Sequence, residues 1–186
     1  MTARRPAAEE SFRDLYATHG RAILAYAVRR TRDPQDAADV VSETFLVAWR
    51  RLDDVPAGDD ARLWLYGVAR RTLANQARSE RRRERLAERM RQELPAAVAA
   101  ASPPAAGADS AVLTALAELQ EADREILLLA GWERLEAGEI ARVLQITGVA
   151  ARARLHRARR RLRARLVQDA DPFPISARPA LPEEAR

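Results

Sequence analysis

Residues 92–110 read Q-E-L-P-A-A-V-A-A-A-S-P-P-A-A-G-A-D-S, and this stretch constrains the fold of the chain more than any other. A helix does not continue through Pro103-Pro104, and side chains this small cannot build a core. Each flank must therefore bury its own apolar residues, so the 186 residues are expected to form two small units joined by a flexible linker. A second proline-rich stretch, with D-P-F-P and R-P-A-L-P, reads as a disordered tail. The expected domains are 1–91 and 112–167, with 92–111 as linker and 168–186 as tail.

Both units carry a helical period. Phe12, Leu15, Tyr16, Ile23, Leu24 and Ala27 fall on one stripe, which predicts a helix over Glu10 to Arg30. Asp33 is a good N-cap and Pro34 a good first residue for a second helix running to about Leu52 and burying Val41, Phe45, Ala48 and Leu52. A loop over Asp53 to Asp60 and a third helix from Ala61 to Arg91 complete the first unit. The second unit begins near Val112 and includes a short helix over Ala137 to Leu144. No stretch has the alternation or turn dipeptides of a hairpin. The expected class is all-α.

Charge is segregated along the chain. The formal net charge is +5, and every basic residue apart from the two histidines is arginine. Residues 33–60 hold eight acids and two arginines, residues 69–91 nine arginines and three acids, and residues 112–151 seven acids and three arginines. Residues 152–165 hold eight arginines and no acid. The planar guanidinium suits bidentate contact with phosphate, so two such blocks point to a polyanionic partner, with a solvated helix face as the plainer alternative. The absence of cysteine excludes disulfides, thiolate zinc sites and thiol redox sensing within these residues. The residues include no transmembrane or secretory segment, and a cytoplasmic protein without membrane contact is expected.

The segment E-A-G-E-I-A-R-V-L-Q-I-T-G-V-A-A-R-A-R-L-H-R-A-R has the grammar of a helix-turn-helix. Ile140, Val143 and Leu144 face the core, Ile146 drops in from the turn, and Thr147 caps the second helix. Small residues open that helix, as entry into a major groove requires, and arginines follow where phosphates would lie. Arg152 and His156 are placed nearest base edges or the adjoining backbone, with Leu155 and Leu162 on the packed side. A basic helix that caps a bundle or touches an acidic protein is the alternative.

In the first unit Trp64 and Tyr66 precede Arg70, Arg71, Asn75, Arg78 and Arg81 to Arg83. Aromatics beside cations suit single-stranded nucleic acid, although either ring could be core. Asp36, Asp39 and Glu43 share one helix face. Without a neighbouring Glu-x-x-His pair they read as a docking face for a basic partner, or as a solvated face, ahead of a metal or acid-base centre. No cofactor and no metal site is expected.

These segments together resemble the extracytoplasmic-function sigma factors, the small two-domain class of the sigma-70 family. D-P-Q-D-A-A-D-V-V-S-E-T-F-L-V-A-W-R-R-L resembles the signature helix of region 2, A-R-L-W-L-Y-G-V-A-R-R-T-L-A-N-Q-A-R follows at the expected place, and R-L-H-R-A-R-R-R-L-R resembles the end of the region 4 recognition helix. The resemblance implies a promoter-specificity subunit without catalysis of its own. Asp36, Asp39, Glu43 and Phe45 would bind core RNA polymerase at the clamp helices of its largest subunit. Trp64, Tyr66, Arg70, Arg71, Asn75 and Arg78 would recognise and melt the minus-ten element, and the loop Asp53 to Asp60 would capture an unstacked nontemplate base. Thr147, Arg152, Arg154, His156, Arg157 and Arg159 would bind the minus-thirty-five duplex beside the polymerase beta flap. An anti-sigma factor is a further partner the resemblance implies. The chain departs from the family at the turn, where Gln145 replaces the usual Gly, at Ala150, which lacks the usual hydroxyl, and at Arg71 and Asn75, where Asn and Asp are common. A regulator using only its helix-turn-helix is the competing reading, and an enzyme built on the three carboxylates a distant third.

Overall fold

The computed structural model describes residues 4–92 and 110–169, and among them every regular element is helical. Nearly all of the expected tail and of the expected linker lie outside the described residues, although residues 168 and 169, assigned to the tail, close the last helix. The linker's ends are helical: Gln92 closes one helix and Ser110 opens the next.

Three helices make the first unit. α1 spans Arg4–Val28, α2 Pro34–Arg50 and α3 Asp60–Gln92, with a single 3₁₀ turn at Leu52–Asp54 between the last two. α1 begins earlier than its apolar stripe requires. Its C-terminal carbonyls are closed by the turn that follows, where Thr31 donates to the Ala27 carbonyl from both its amide (3.0 Å) and its hydroxyl (3.1 Å). Asp33 then caps α2 as expected, its side chain accepting from the Gln35 amide at 2.8 Å. α2 buries Ala37, Val40, Thr44, Phe45 and Ala48, while Val41 and Leu52 are only partly covered. The expected stripe was thus displaced by about one residue on the helix surface, toward the side shared with Ile23 and Tyr26.

α3 differs from a surface helix. Leu65, Val68, Ala69 and Thr72 form one buried stripe, and Leu63, Tyr66 and Gly67 a second, so its first turns are covered nearly all round. One side is met by α1 and α2, and the other by the second unit. Beyond Asn75 the helix is mostly polar, and Arg78, Arg81 to Arg83 and Arg85 are exposed.

The second unit comprises α4 Ser110–Glu118, α5 Glu121–Gly131, α6 Ala137–Leu144 and α7 Gly148–Asp169, with α4, α5 and α6 all packed on α7. Arg124 ties α4 to α5 by donating to the carbonyls of Leu116 (2.8 Å), which also accepts from the Leu119 amide, and of Leu119 (3.0 Å) just past the end of α4. A capping box opens α6, where the Glu136 amide donates to Glu139 Oε2 at 2.8 Å while the Glu136 side chain accepts from the N3 amide. Ile140, Ala141, Val143 and Leu144 are buried beneath it. Gln145 turns the chain with φ 55° and ψ 45°, and the amide of Ile146 returns to the Ala141 carbonyl at 3.0 Å.

A candidate nucleic-acid interface and an acid-lined groove

The recognition face is set by the packing of α7. Thr147 caps the helix, accepting from the Ala150 amide at 3.2 Å. Ala151, Leu155 and Ala158 then turn inward, with Leu162 packed beside them. The spacing of this stripe leaves Arg152, His156, Arg157, Arg159 and Arg160 on the solvent side, with Arg154 half-buried at its edge. Gly148 and Ala150 keep the start of the helix small.

The arginine run does not act as one block. Arg161 pairs with the buried carboxylate of Asp123 on α5, and Arg165 with Glu118 of α4 at 2.7 Å. These two fold back on their own unit and fix the angle of α7 against α4 and α5. The outward arginines begin one turn after the cap, where a duplex laid along the helix would present its backbone.

In the first unit, two sets assigned to separate tasks face each other. A groove of about 850 Å³ lies between α2 and α3, with Asp39 and Glu43 on one wall, Arg71, Asn75 and Gln76 on the other, and Leu46, Val47 and Val68 among its lining. A smaller one, of about 420 Å³, continues it past Asp36 toward Arg82 and Arg83. Arg71, Asn75 and Arg78 form one stripe, and Arg78 donates to Asn75 Oδ1. Arg70 is exposed on a neighbouring face of the helix. Gln76, which lines both grooves, was not singled out in the sequence; its four-residue spacing from Thr72, which also lines the larger groove, was the available signal.

Two expected contact residues are buried. Phe45 is 3% exposed and packs edge-on against Phe12 and Tyr16, so it belongs to the core, apart from the carboxylates Asp36, Asp39 and Glu43 with which it was grouped. Its helix instead exposes Leu46 and Trp49. Tyr66 is also 3% exposed, its ring 5.1 Å from that of Tyr26. Burial, and then the charge of Glu133, push its hydroxyl pKa above the usual value. Trp64 is half-buried against the core.

Five residues outside every expected set form a polar cluster between the units: Tyr26 of α1, Arg29 and Arg30 from the turn that follows it, and Glu125 and Glu133 from the second unit. Burial works against the charge of Arg30, but Tyr26, Glu125 and Glu133 outweigh it and hold the pKa above its ordinary value. Tyr26 is pushed well up by burial and then by Glu125. Nearer the loop, His19 is lowered by burial and by Arg62, with Asp59 opposing. Among the described residues no group of three or more histidines or carboxylates could hold a metal ion, and no helix is long and apolar enough to cross a membrane.

Residues 15–83 match the family model of sigma-70 region 2, and residues 109–162 that of sigma-70 region 4. The chain is 33% identical over 157 residues to the ECF RNA polymerase sigma factor SigL of Mycobacterium tuberculosis, covering 83% of this chain and 88% of that one. It is 34% identical over 173 residues to the RNA polymerase sigma factor CnrH of Cupriavidus metallidurans, covering 88% and 90%. The solved structure of CnrH in complex with the cytosolic domain of CnrY is similar over 90% of this chain and 97% of that one, with 26% identity and a TM-score of 0.57. With both regions matched and relatives spanning nearly its whole length, the chain belongs to the extracytoplasmic-function class of the sigma-70 family, whose members direct RNA polymerase to promoters.

Proposed function

We propose that the two units divide promoter recognition between them, with residues 112–167 holding the minus-thirty-five duplex and residues 1–91 engaging polymerase and the minus-ten strand. The observation that carries this is the division of α7. One stripe is consumed by packing and the opposite one offers Arg152, His156, Arg157 and Arg159 from a capped helix whose first turn is small. Asp36, Asp39 and Glu43 offer an acidic wall to a basic helical partner in polymerase. Across the groove Arg71, Asn75 and Arg78 run beside them, so a DNA strand lying along α3 would pass within one groove's width of the polymerase contact. Docking and strand capture are then neighbouring events.

On this reading the chain works in the cytoplasm as a non-enzymatic subunit, and the chemistry belongs to polymerase. An anti-sigma factor is its regulatory partner on this reading; the similar CnrH is solved in complex with the cytosolic domain of CnrY. The test is run-off transcription with purified core polymerase on a library of genomic fragments. Added chain is expected to yield new transcripts whose aligned start sites share two upstream elements. Absence of both core binding and specific transcripts would overturn the reading in favour of a regulator that uses the helix-turn-helix alone.

A further inference from the structure

The free face of α7 is led by an apolar side chain that the fold does not use. Val149, the second residue of the helix, is 69% exposed, and among the described residues no large hydrophobic side chain is more so. The packed stripe of Ala151, Leu155 and Ala158 lies on the opposite side, while Ala153, His156 and Arg160 continue the line of Val149 at three- and four-residue spacing.

The backbone around Val149 is fixed. The Ala150 amide donates to the Thr147 hydroxyl at 3.2 Å, the Ala151 amide donates to the Thr147 carbonyl at 2.9 Å, and Ala151 is wholly buried. A β-branched side chain in a helix has one strongly preferred rotamer, so the two methyl groups of Val149 are presented in one direction. Helix stability gives no reason for them, because an exposed valine is a poorer helix residue than the alanines beside it.

The surroundings decide what can meet those methyl groups. From Gly148 to Gln168 there is no acid, and Arg152, Arg157 and Arg160 are exposed on the same half of the helix. Arg152 folds back over the first turn, with Nη1 3.6 Å from where a Cβ on Gly148 would stand. A polyanion neutralises these guanidinium groups; an apolar protein face does not. The first turn of a helix entering the major groove is where base edges are met, and the apolar group displayed there is the C5 methyl of thymine. Facing the amino group of cytosine or adenine, or the oxygen of guanine, Val149 would displace water and offer no hydrogen bond in return. Gly148 to Ala151 carry no side chain able to hydrogen-bond a base, which leaves apolar contact as the readout of this turn.

We propose that Val149 is a specificity-determining residue of α7, which reads the methyl group of one thymine in the upstream duplex element. The proposal rests on the sigma-factor reading of α7 as the duplex-binding helix and adds the base that its first turn selects.

The test uses the full chain assembled with core polymerase, and the upstream element shared by its transcripts. Each thymine of that element, on either strand, is replaced in turn by deoxyuridine, which removes the methyl group and keeps the pairing. One position is expected to lose about fourfold in affinity, the worth of one buried methyl group. That loss should be the same at low and high salt, because no phosphate contact changes. Val149→Ala lies outside the core and should leave the urea midpoint no lower. It should bind the thymine duplex about fourfold more weakly and no longer distinguish thymine from deoxyuridine at that position, a coupling that a merely structural role would not produce. Tolerance of deoxyuridine at every position, or a methyl effect that persists in full in Val149→Ala, overturns the proposal and leaves the sigma-factor reading standing. Loss of core binding in Val149→Ala, with no methyl effect on DNA, would assign the side chain to polymerase and overturn it equally. A chain that directs no specific transcript has no upstream element, and there the sigma-factor reading fails and the proposal with it.

Discussion

The two arginine-rich helices, α3 and α7, have similar charge and opposite settings. α7 packs along one stripe and leaves free the side proposed for duplex recognition. The first turns of α3 are packed on two sides, by its own unit and by α6, and its aromatic residue most suited to stacking is covered. Like charge therefore says that both helices can meet a polyanion, while packing decides which can do so without a rearrangement. A helix that reads duplex can be rigid and ready. One that captures a strand created during the reaction has reason to be kept covered.

The largest expected effect sharpens the α7 side of the comparison. Arg152→Ala removes the exposed guanidinium closest to the N-terminus of the helix, and should cost about 1–3 kcal/mol of affinity for the specific duplex if that group reaches a base edge. Arg157→Ala, at the residue after His156, should weaken binding to all duplexes alike and lower the magnitude of the salt slope by about one. Fluorescence anisotropy on specific and scrambled duplexes over a range of salt separates the two. Equal losses on both sequences for Arg152→Ala would place it on phosphate as well, and sequence readout would then move to His156 and the start of the helix.

The sequence shows the first half of this comparison better than the second. Asp33, Pro34, Thr147 and the boundaries of α6 act through neighbours a few residues away, and these local signals were legible. Leu155 and Leu162 on the packed side followed from the helical period alone. Tyr66 and Phe45 were harder, because an aromatic beside arginines reads equally as a stacking platform or as core, and only the partner across the contact decides. The ion-pair cluster between the units was not seen at all. Its ion pairs join residues about a hundred positions apart, such as Arg30 and Glu133 with a separation of 103, and no local spacing encodes them. One trace was present in L-W-L-Y-G-V-A, apolar on every side of a helix and therefore in need of two partners. The split of the second arginine run was hidden for the same reason, since Arg161 and Arg165 take their roles from Asp123 and Glu118.

A pH titration probes the covered side of α3. Tyr26 in the folded chain ionises well above its ordinary value of about 10, because burial and the adjacent Glu125 oppose the phenolate. A group whose pKa is raised on folding contributes fully below its unfolded value and loses that contribution as pH rises toward the folded value. This contribution to stability should thus be constant through neutral pH and fall from about pH 10 upward. Tyr26→Phe removes the hydrogen bond to Glu125, worth about 1.5–3 kcal/mol when the acceptor is charged, and should flatten the alkaline fall while lowering stability at neutral pH. Urea midpoints measured across pH check both. An alkaline fall of undiminished size in Tyr26→Phe would assign the titration to another group.

The smallest expected effect concerns the turn that aims α7. Gln145 sits at φ 55°, in the left-handed region, at the position where Gly is usual in this class. A side chain there costs about 1–2 kcal/mol from the clash of Cβ with the following carbonyl. Gln145→Gly relieves that strain but returns part of the gain, because glycine loses more freedom on folding, by roughly 0.4–1 kcal/mol. The net should be a stabilisation of about 0.5–1 kcal/mol, read as a rise in the urea midpoint with unchanged slope. Duplex affinity should not follow it. The Ile146 amide bond to Ala141 and the Thr147 cap fix the entry of α7, and neither uses the Gln145 side chain. If Gln145→Gly stabilises the fold and also loosens binding to the specific duplex, the strained glutamine is aiming the recognition helix, and the readiness of α7 depends on that turn as well as on its packed stripe.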